Sequence, residues 1–171
     1  MNTAIDEYLE VSFDYRKPSG ELSKRQVQPW SLQNIDGQWL LQCFDLGAKE
    51  HRNFLLKRIV SKVQFLKDGE VDRSFTKPSE ELLQTAIDDL QNHIHKQICE
   101  LRVKPDSQAW FHFRLDDSLS SASQTISFNY MDLALLAEEL RDFAMDIEVL
   151  KPKELEDLVR AGFEKVASDH A

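Results

Sequence analysis

Cysteine is almost missing from this chain. Its two residues, Cys43 and Cys99, stand far apart and without CxxC spacing, which excludes a disulfide framework and a thiolate zinc cluster and fits a reducing cytoplasm. Long apolar runs are missing as well. Nothing approaches the ~20 residues that cross a bilayer, and the opening MNTAIDEYLEV lacks the basic-then-apolar order of a signal peptide. A basic excess is also lacking: the net charge is -9 and the pI about 5.0. Such a field opposes broad, sequence-independent attachment to DNA or to an anionic membrane. No P-loop, nucleophile elbow or HExxH pattern occurs. His93 and His95, two apart on an expected helix, point in different directions and make no metal pair. These absences lead to an expectation of a soluble, cytoplasmic protein that is not an enzyme, holds no metal and uses no cofactor.

What is present is enough apolar content, 42% of 171 residues, to bury a core. The charge is unevenly spread. Residues 1–78 carry 12 Lys+Arg against 11 Asp+Glu, whereas 79–171 carry 9 against 19, so an anion site belongs in the first half. That half reads as strands. Val11, Phe13 and Tyr15 alternate with polar residues from Leu9 to Arg16, the period of a half-buried strand. A turn at Lys17–Gly20 leads to a second strand from Leu22 to about Leu32, in which Pro29 signals an edge, a bend or a bulge. Asp36-Gly37 is the strongest hairpin signal in the chain. The third strand, Gln38 to Phe44, is apolar enough for both faces to be covered. A fourth runs from His51 to Lys57 and a fifth from Lys62 to Lys67. Five short meandering strands favour a small, strongly bent barrel.

The second half changes character. Ser79 caps an expected helix with Glu80 and Glu81 in its first turn and Leu83, Ala86, Ile87, Leu90 and Ile94 along one stripe. Beyond it the pattern is strand (Gln97–Val103), short helix from Pro105 and Asp106, serine-rich loop (Asp116–Ser123), strand (Gln124–Phe128), helix capped by Asp132, strand (Asp146–Leu150), and a terminal helix opened by Pro152. The apolar face of that last helix is Leu155, Leu158, Val159, Phe163 and Val166. The fold expected is α+β in three parts: a five-stranded barrel over 1–75, a linker helix over 76–96, and a ferredoxin-like α+β domain over 97–171.

The succession VSFDY, KRQVQPWSL, DGQWLLQCFDL and EHRNFLLKRIVSKV resembles the WYL domain, an Sm-like or SH3-like barrel of bacterial transcription regulators. The likeness rests on Phe13, Tyr15, Arg25, Pro29, the triplet Trp39-Leu40-Leu41, and Arg52, Phe54, Arg58 and Ile59. The central tyrosine of the name-giving triplet is Leu40 here. ELRVKPDSQAWF, with the helix and DIEVLKPKELEDLV that follow, resembles the WCX extension of the same family. The resemblance implies a ligand-sensing regulatory module, expected to form a homodimer. It further implies an oligonucleotide or nucleotide effector held by Arg25, Arg52 and Arg58 with Tyr15, Trp39 and His51 beside them. Duplex DNA would be reached only through a helix-turn-helix domain, of which these residues hold no pattern.

The chemistry suits that assignment, since guanidinium groups fork onto phosphate oxygens and aromatic faces accept bases. Arg52 and Arg58 are six apart, an even spacing that shares one face if the strand stays regular. The plainer reading is a solvated sheet face with Trp39 and Phe54 in the core. A reading of another class is an adaptor whose arginines contact a partner protein's carboxylates. Cys43 and Cys99 read as buried, inert thiols.

Overall fold

The computed structural model describes residues 1–66, 75–115 and 122–169, with side chains described to Glu164. The expected end of the fifth strand at Lys67–Gly69, most of the serine-rich loop, and the side chain of Val166 lie outside the described residues. The chain divides into two compact units, Met1–Asp89 and Leu90–Ala171, and the fold is mixed α+β.

In the first unit a short helix α1 (Asn2–Asp6) precedes β1 (Val11–Arg16), β2 (Leu22–Ile35), β3 (Gln38–Asp45), β4 (Glu50–Leu55) and β5 (Gln64–Phe65). The strands form one antiparallel sheet in the order β4-β3-β2-β1-β5. The helix at the N-terminus was not expected; it is five residues long and places Ala4 in the core. The Asp36-Gly37 hairpin forms as read. Both residues take positive φ, 50° and 81°, the conformation of a two-residue turn matched to strand twist.

Pro29 makes a bulge, and β2 runs through it to Ile35 as an interior strand. Pro29 lies opposite Cys43 and Ser31 opposite Gln42, so Trp30 is the extra residue of the bulge. The fourth strand stops at Leu55, two residues earlier than read, because a 3-10 turn at Leu56–Arg58 takes over.

Directly paired residues share a face of an antiparallel sheet. One face carries Val11, Phe13, Val27, Leu41, Cys43 and Phe54, which with Ala4 make the buried core of this unit. The other face carries Gln28, Gln42, Phe44, His51 and Asn53. The helix α2 (Glu80–Ile94), within which the two units divide, starts as expected: Ser79 Oγ accepts the Leu82 amide at 3.3 Å. Gln42 ties it to the sheet, donating from Nε2 to the Leu83 carbonyl at 3.2 Å.

The second unit contains β6 (Ile98–Val103), α3 (Gln108–His112), β7 (Gln124–Asn129), α4 (Leu133–Leu140), β8 (Ile147–Lys151) and α5 (Lys153–Asp169). Its sheet has the order β7-β6-β8, with β6 antiparallel to both neighbours. Asp132 caps α4 as read, its Oδ1 accepting the Ala134 and Leu135 amides at 3.0 Å each. The short helix α3 begins later than expected, with Ser107 rather than Asp106 at the cap. Ser107 Oγ accepts the Trp110 amide. Cys99, Leu101, Val103, Trp110, Leu140 and Leu155 are fully buried together. Burial pushes the Cys99 thiol up to about 12, and the neighbouring Glu100 carboxylate adds to the rise. Cys43 is raised by the same cause, with Asp45 adding to it and Arg52 opposing it. Both thiols are thus poor nucleophiles at neutral pH. No described helix is long and apolar enough to cross a membrane.

Candidate functional site

The period of two along β4 separates the residues that sequence reading grouped together. Arg52 shares its face with Phe54, whereas His51 and Asn53 face the other way. On the core face Arg25 stands opposite Phe13, Asp45 opposite both Val27 and Glu50, and Arg52 opposite Cys43. These pairings converge two arginines on one carboxylate.

Asp45 is 1% exposed. Its Oδ2 accepts Arg25 Nη1 at 3.1 Å and lies 3.8 Å from Arg52 Nε. Its Oδ1 accepts the amides of Gly47 at 3.0 Å and Ala48 at 3.1 Å. The carboxylate therefore closes the β3–β4 turn on one side and orders two guanidinium groups on the other. Arg52 has a second, exposed partner, Glu50, whose Oε1 accepts from Nε at 2.8 Å and Nη2 at 2.5 Å. Aromatic rings back the cluster. The Arg25 guanidinium carbon lies 5.8 Å from the centre of the Phe54 ring, and Tyr15 meets that ring edge-on at 4.8 Å.

Of the six residues expected at the site, Tyr15, Arg25 and Arg52 are brought to this one face. Arg58 is placed otherwise. The 3-10 turn breaks the strand between Arg52 and Arg58, so their even spacing no longer sets a shared face. Arg58 is 1% exposed and donates from Nη1 to the Arg16 carbonyl at 3.1 Å. A guanidinium so buried holds the chain between β1 and the turn. Trp39 departs from the core reading: it is 51% exposed and pairs with Asn34 beside the hairpin. Four strand positions, about 13 Å, separate it from the Cys43–Arg52 pair. His51 lies on the opposite face, where its ring meets Trp30 edge-on at 4.6 Å and Phe44 at 6.0 Å.

Two residues were missed. Asp45 carried a signal in the string Asp45-Leu46-Gly47: an aspartate ending a strand before a glycine commonly accepts the amides two and three residues on. Trp30 carried one in its place after Pro29, since the extra residue of a bulge is re-aimed.

The WYL domain family model matches residues 1–64. A curated relative, the uncharacterized HTH-type transcriptional regulator YobV of Bacillus subtilis (strain 168), is 26% identical over 176 residues, which cover 94% of this chain and 51% of YobV. Among solved structures, proteasome accessory factor B/C (PafBC) of Arthrobacter aurescens is 28% identical with a TM-score of 0.59. That match covers 92% of this chain and 25% of PafBC. The chain thus spans about half the length of the curated relative and a quarter of the solved one. The resemblance that runs from VSFDY to EHRNFLLKRI is borne out: the WYL domain family model matches residues 1–64, the stretch that supplies Tyr15, Arg25, Asp45 and Arg52.

Proposed function

We propose that this chain is the effector-sensing part of a transcription regulator and that the Arg25–Asp45–Arg52 cluster receives an anionic effector, a single-stranded oligonucleotide or a nucleotide. The sheet of the first unit acts as an Sm-like barrel. The second unit acts as a WCX-like, ferredoxin-related domain that supports a homodimer in the cytoplasm. The chain performs no catalysis. The carrying observation is that two arginines with different exposures are held by one buried carboxylate beside the Tyr15 and Phe54 rings. Asp45 sets one charge against two cations, and exposed Glu50 balances the second, leaving Arg52 as the cation whose carboxylate partner a phosphate can displace. The regulatory reading draws on the HTH-type relative, which matches nearly the whole chain. Effector binding would then bias two arrangements of such a regulator through unequal affinity for them.

Labelled single-stranded DNA titrated at several salt concentrations tests the reading. Two phosphate contacts give log K a slope of about -1.4 against log salt, and loss of one arginine removes about half of it. Arg25→Ala and Arg52→Ala are each expected to weaken binding and flatten that slope. An unchanged affinity in both variants, or no binding by the wild type at low salt, rejects the oligonucleotide. Mononucleotides in the same titration decide whether a single phosphate suffices.

Glu50 supplies a second expectation. Its carboxylate occupies the guanidinium edge of Arg52 that a phosphate would take. An exposed pair is worth at most about 1 kcal/mol. Glu50→Gln should therefore tighten oligonucleotide binding by up to about fivefold, with little change in stability. Weaker binding in this variant would show that Glu50 positions Arg52 instead of competing for it.

A further inference from the structure

The opposite face of the same sheet carries a hollow that Arg52 borders but Arg25 and Asp45 do not. It measures about 340 Å³ and lies between β2–β4 and α2, bordered by Trp30, Gln42, His51, Asn53, Leu83 and Asp89, all in the first unit. We propose that it is a second ligand site, one that takes a small, uncharged heteroaromatic ring compound carrying both hydrogen-bond acceptors and donors.

Four observations define this chemistry. The first is an unused donor. Trp30 is 7% exposed, and its indole Nε1–H is buried without a hydrogen-bond partner. An unsatisfied buried donor costs about 1–3 kcal/mol, and a ligand acceptor that meets it once the Trp30 ring turns toward the hollow would recover that cost. The second is the aromatic wall. Trp30 and His51 border the hollow with ring centroids 4.6 Å apart, and Phe44 packs against both from outside it; two such rings favour a planar guest over an aliphatic one. The third is charge. Arg52 and Asp89 both border the hollow, so an ionic ligand of either sign meets a like charge there. The fourth is rigidity. Gln42 is buried, accepts the Ser31 hydroxyl at 2.5 Å and donates to the Leu83 carbonyl at 3.2 Å. It serves as a strut between sheet and helix, leaving the exposed Asn53 amide to read the ligand's edge. The volume lies at the small end of ligand pockets, enough for one or two rings.

The test uses the full chain labelled with nitrogen-15 and titrated separately with adenine, uracil and nicotinamide. At least one of them is expected to shift the Trp30 indole and Asn53 amide signals saturably, with the indole proton moving downfield as it gains an acceptor. Ala86→Trp, at an exposed helix position bordering the hollow, should fill the space and abolish the shifts. Trp30→Phe keeps a ring but removes the donor, and should weaken binding about tenfold, or 1.4 kcal/mol. Arg25→Ala, on the other face, should leave these affinities unchanged, which separates this site from the oligonucleotide reading whatever becomes of that one. The proposal is overturned if none of the three compounds moves these signals at millimolar concentration. Shifts that persist in Ala86→Trp also overturn it, and that variant decides the matter if Trp30→Phe does not fold.

Discussion

Replacing Asp45 by alanine is expected to lower the free energy of unfolding by about 3–5 kcal/mol, because removing one member of a buried charge pair strands the other. The loss has two parts. Arg25 and Arg52 keep their charges beside the apolar core without the carboxylate that balances them, and the Gly47 and Ala48 amides lose their acceptor in the β3–β4 turn. Arg52 is 39% exposed and recovers water, so the Arg25 side and the turn dominate. Asp45→Asn separates the parts. Its amide oxygen can still accept the two turn amides while the negative charge is gone, and a smaller loss of about 2 kcal/mol is expected from an unbalanced charge-assisted hydrogen bond. Urea titration measures both variants. In the oligonucleotide assay the asparagine variant should bind more tightly than the wild type, since the cluster gains a full positive charge. A variant that is destabilised as expected yet binds more weakly would mean that Asp45 matters for anion binding by aiming the arginines, and its charge by comparison little.

The contrast between Asp45 and Arg58 shows what could be read without a structure. The succession of strands, the Asp36-Gly37 hairpin, an irregularity at Pro29 and the caps Ser79 and Asp132 were all legible, because each depends on local chemistry at a fixed offset, whereas the pairing of β5 with β1 was not. The sharing of one face by Tyr15, Arg25 and Arg52 rests on the register between strands, which alternation within each strand does not give. The position of Arg58 did not follow either. It depends on a three-residue 3-10 turn that interrupts the alternation, and on a carbonyl of Arg16 distant in sequence. Asp45 was hidden for a related reason. A carboxylate next to apolar Cys43 and Phe44 gives no sign that two arginines from different strands will converge on it. The exchange of Trp39 for Trp30 has a third cause. Trp39 stands in the most apolar strand, but at the end where the hairpin exposes it. Trp30 follows a proline, and the bulge turns it into a wall of the hollow.

The second unit yields the other large effect, expected from Trp110. This residue is 0% exposed, the largest of the fully buried side chains, and is held in a helix of only five residues. So short a helix has no stability of its own. Its fixed points are the Ser107 cap, whose hydroxyl also donates to the Lys104 carbonyl at 2.7 Å, and the indole buried with Leu101, Val103, Leu140 and Leu155. Trp110→Ala removes the largest of these contributions and leaves a cavity between the β6 strand and the helices that cover it. A cost of about 3–5 kcal/mol is expected, a third or more of the total for a domain of typical stability. The neighbouring Phe111 is 65% exposed, so Phe111→Ala should stay within about 0.5 kcal/mol of the wild type. Hydrogen exchange provides the decisive readout. Amides of β6 and β8 should lose protection in Trp110→Ala and keep it in Phe111→Ala, because opening of an element follows the packing of the side chains beneath it. Equal protection in the two variants would mean that the core of the second unit rests on its strands and on α4 and α5 alone, with α3 a dispensable cover.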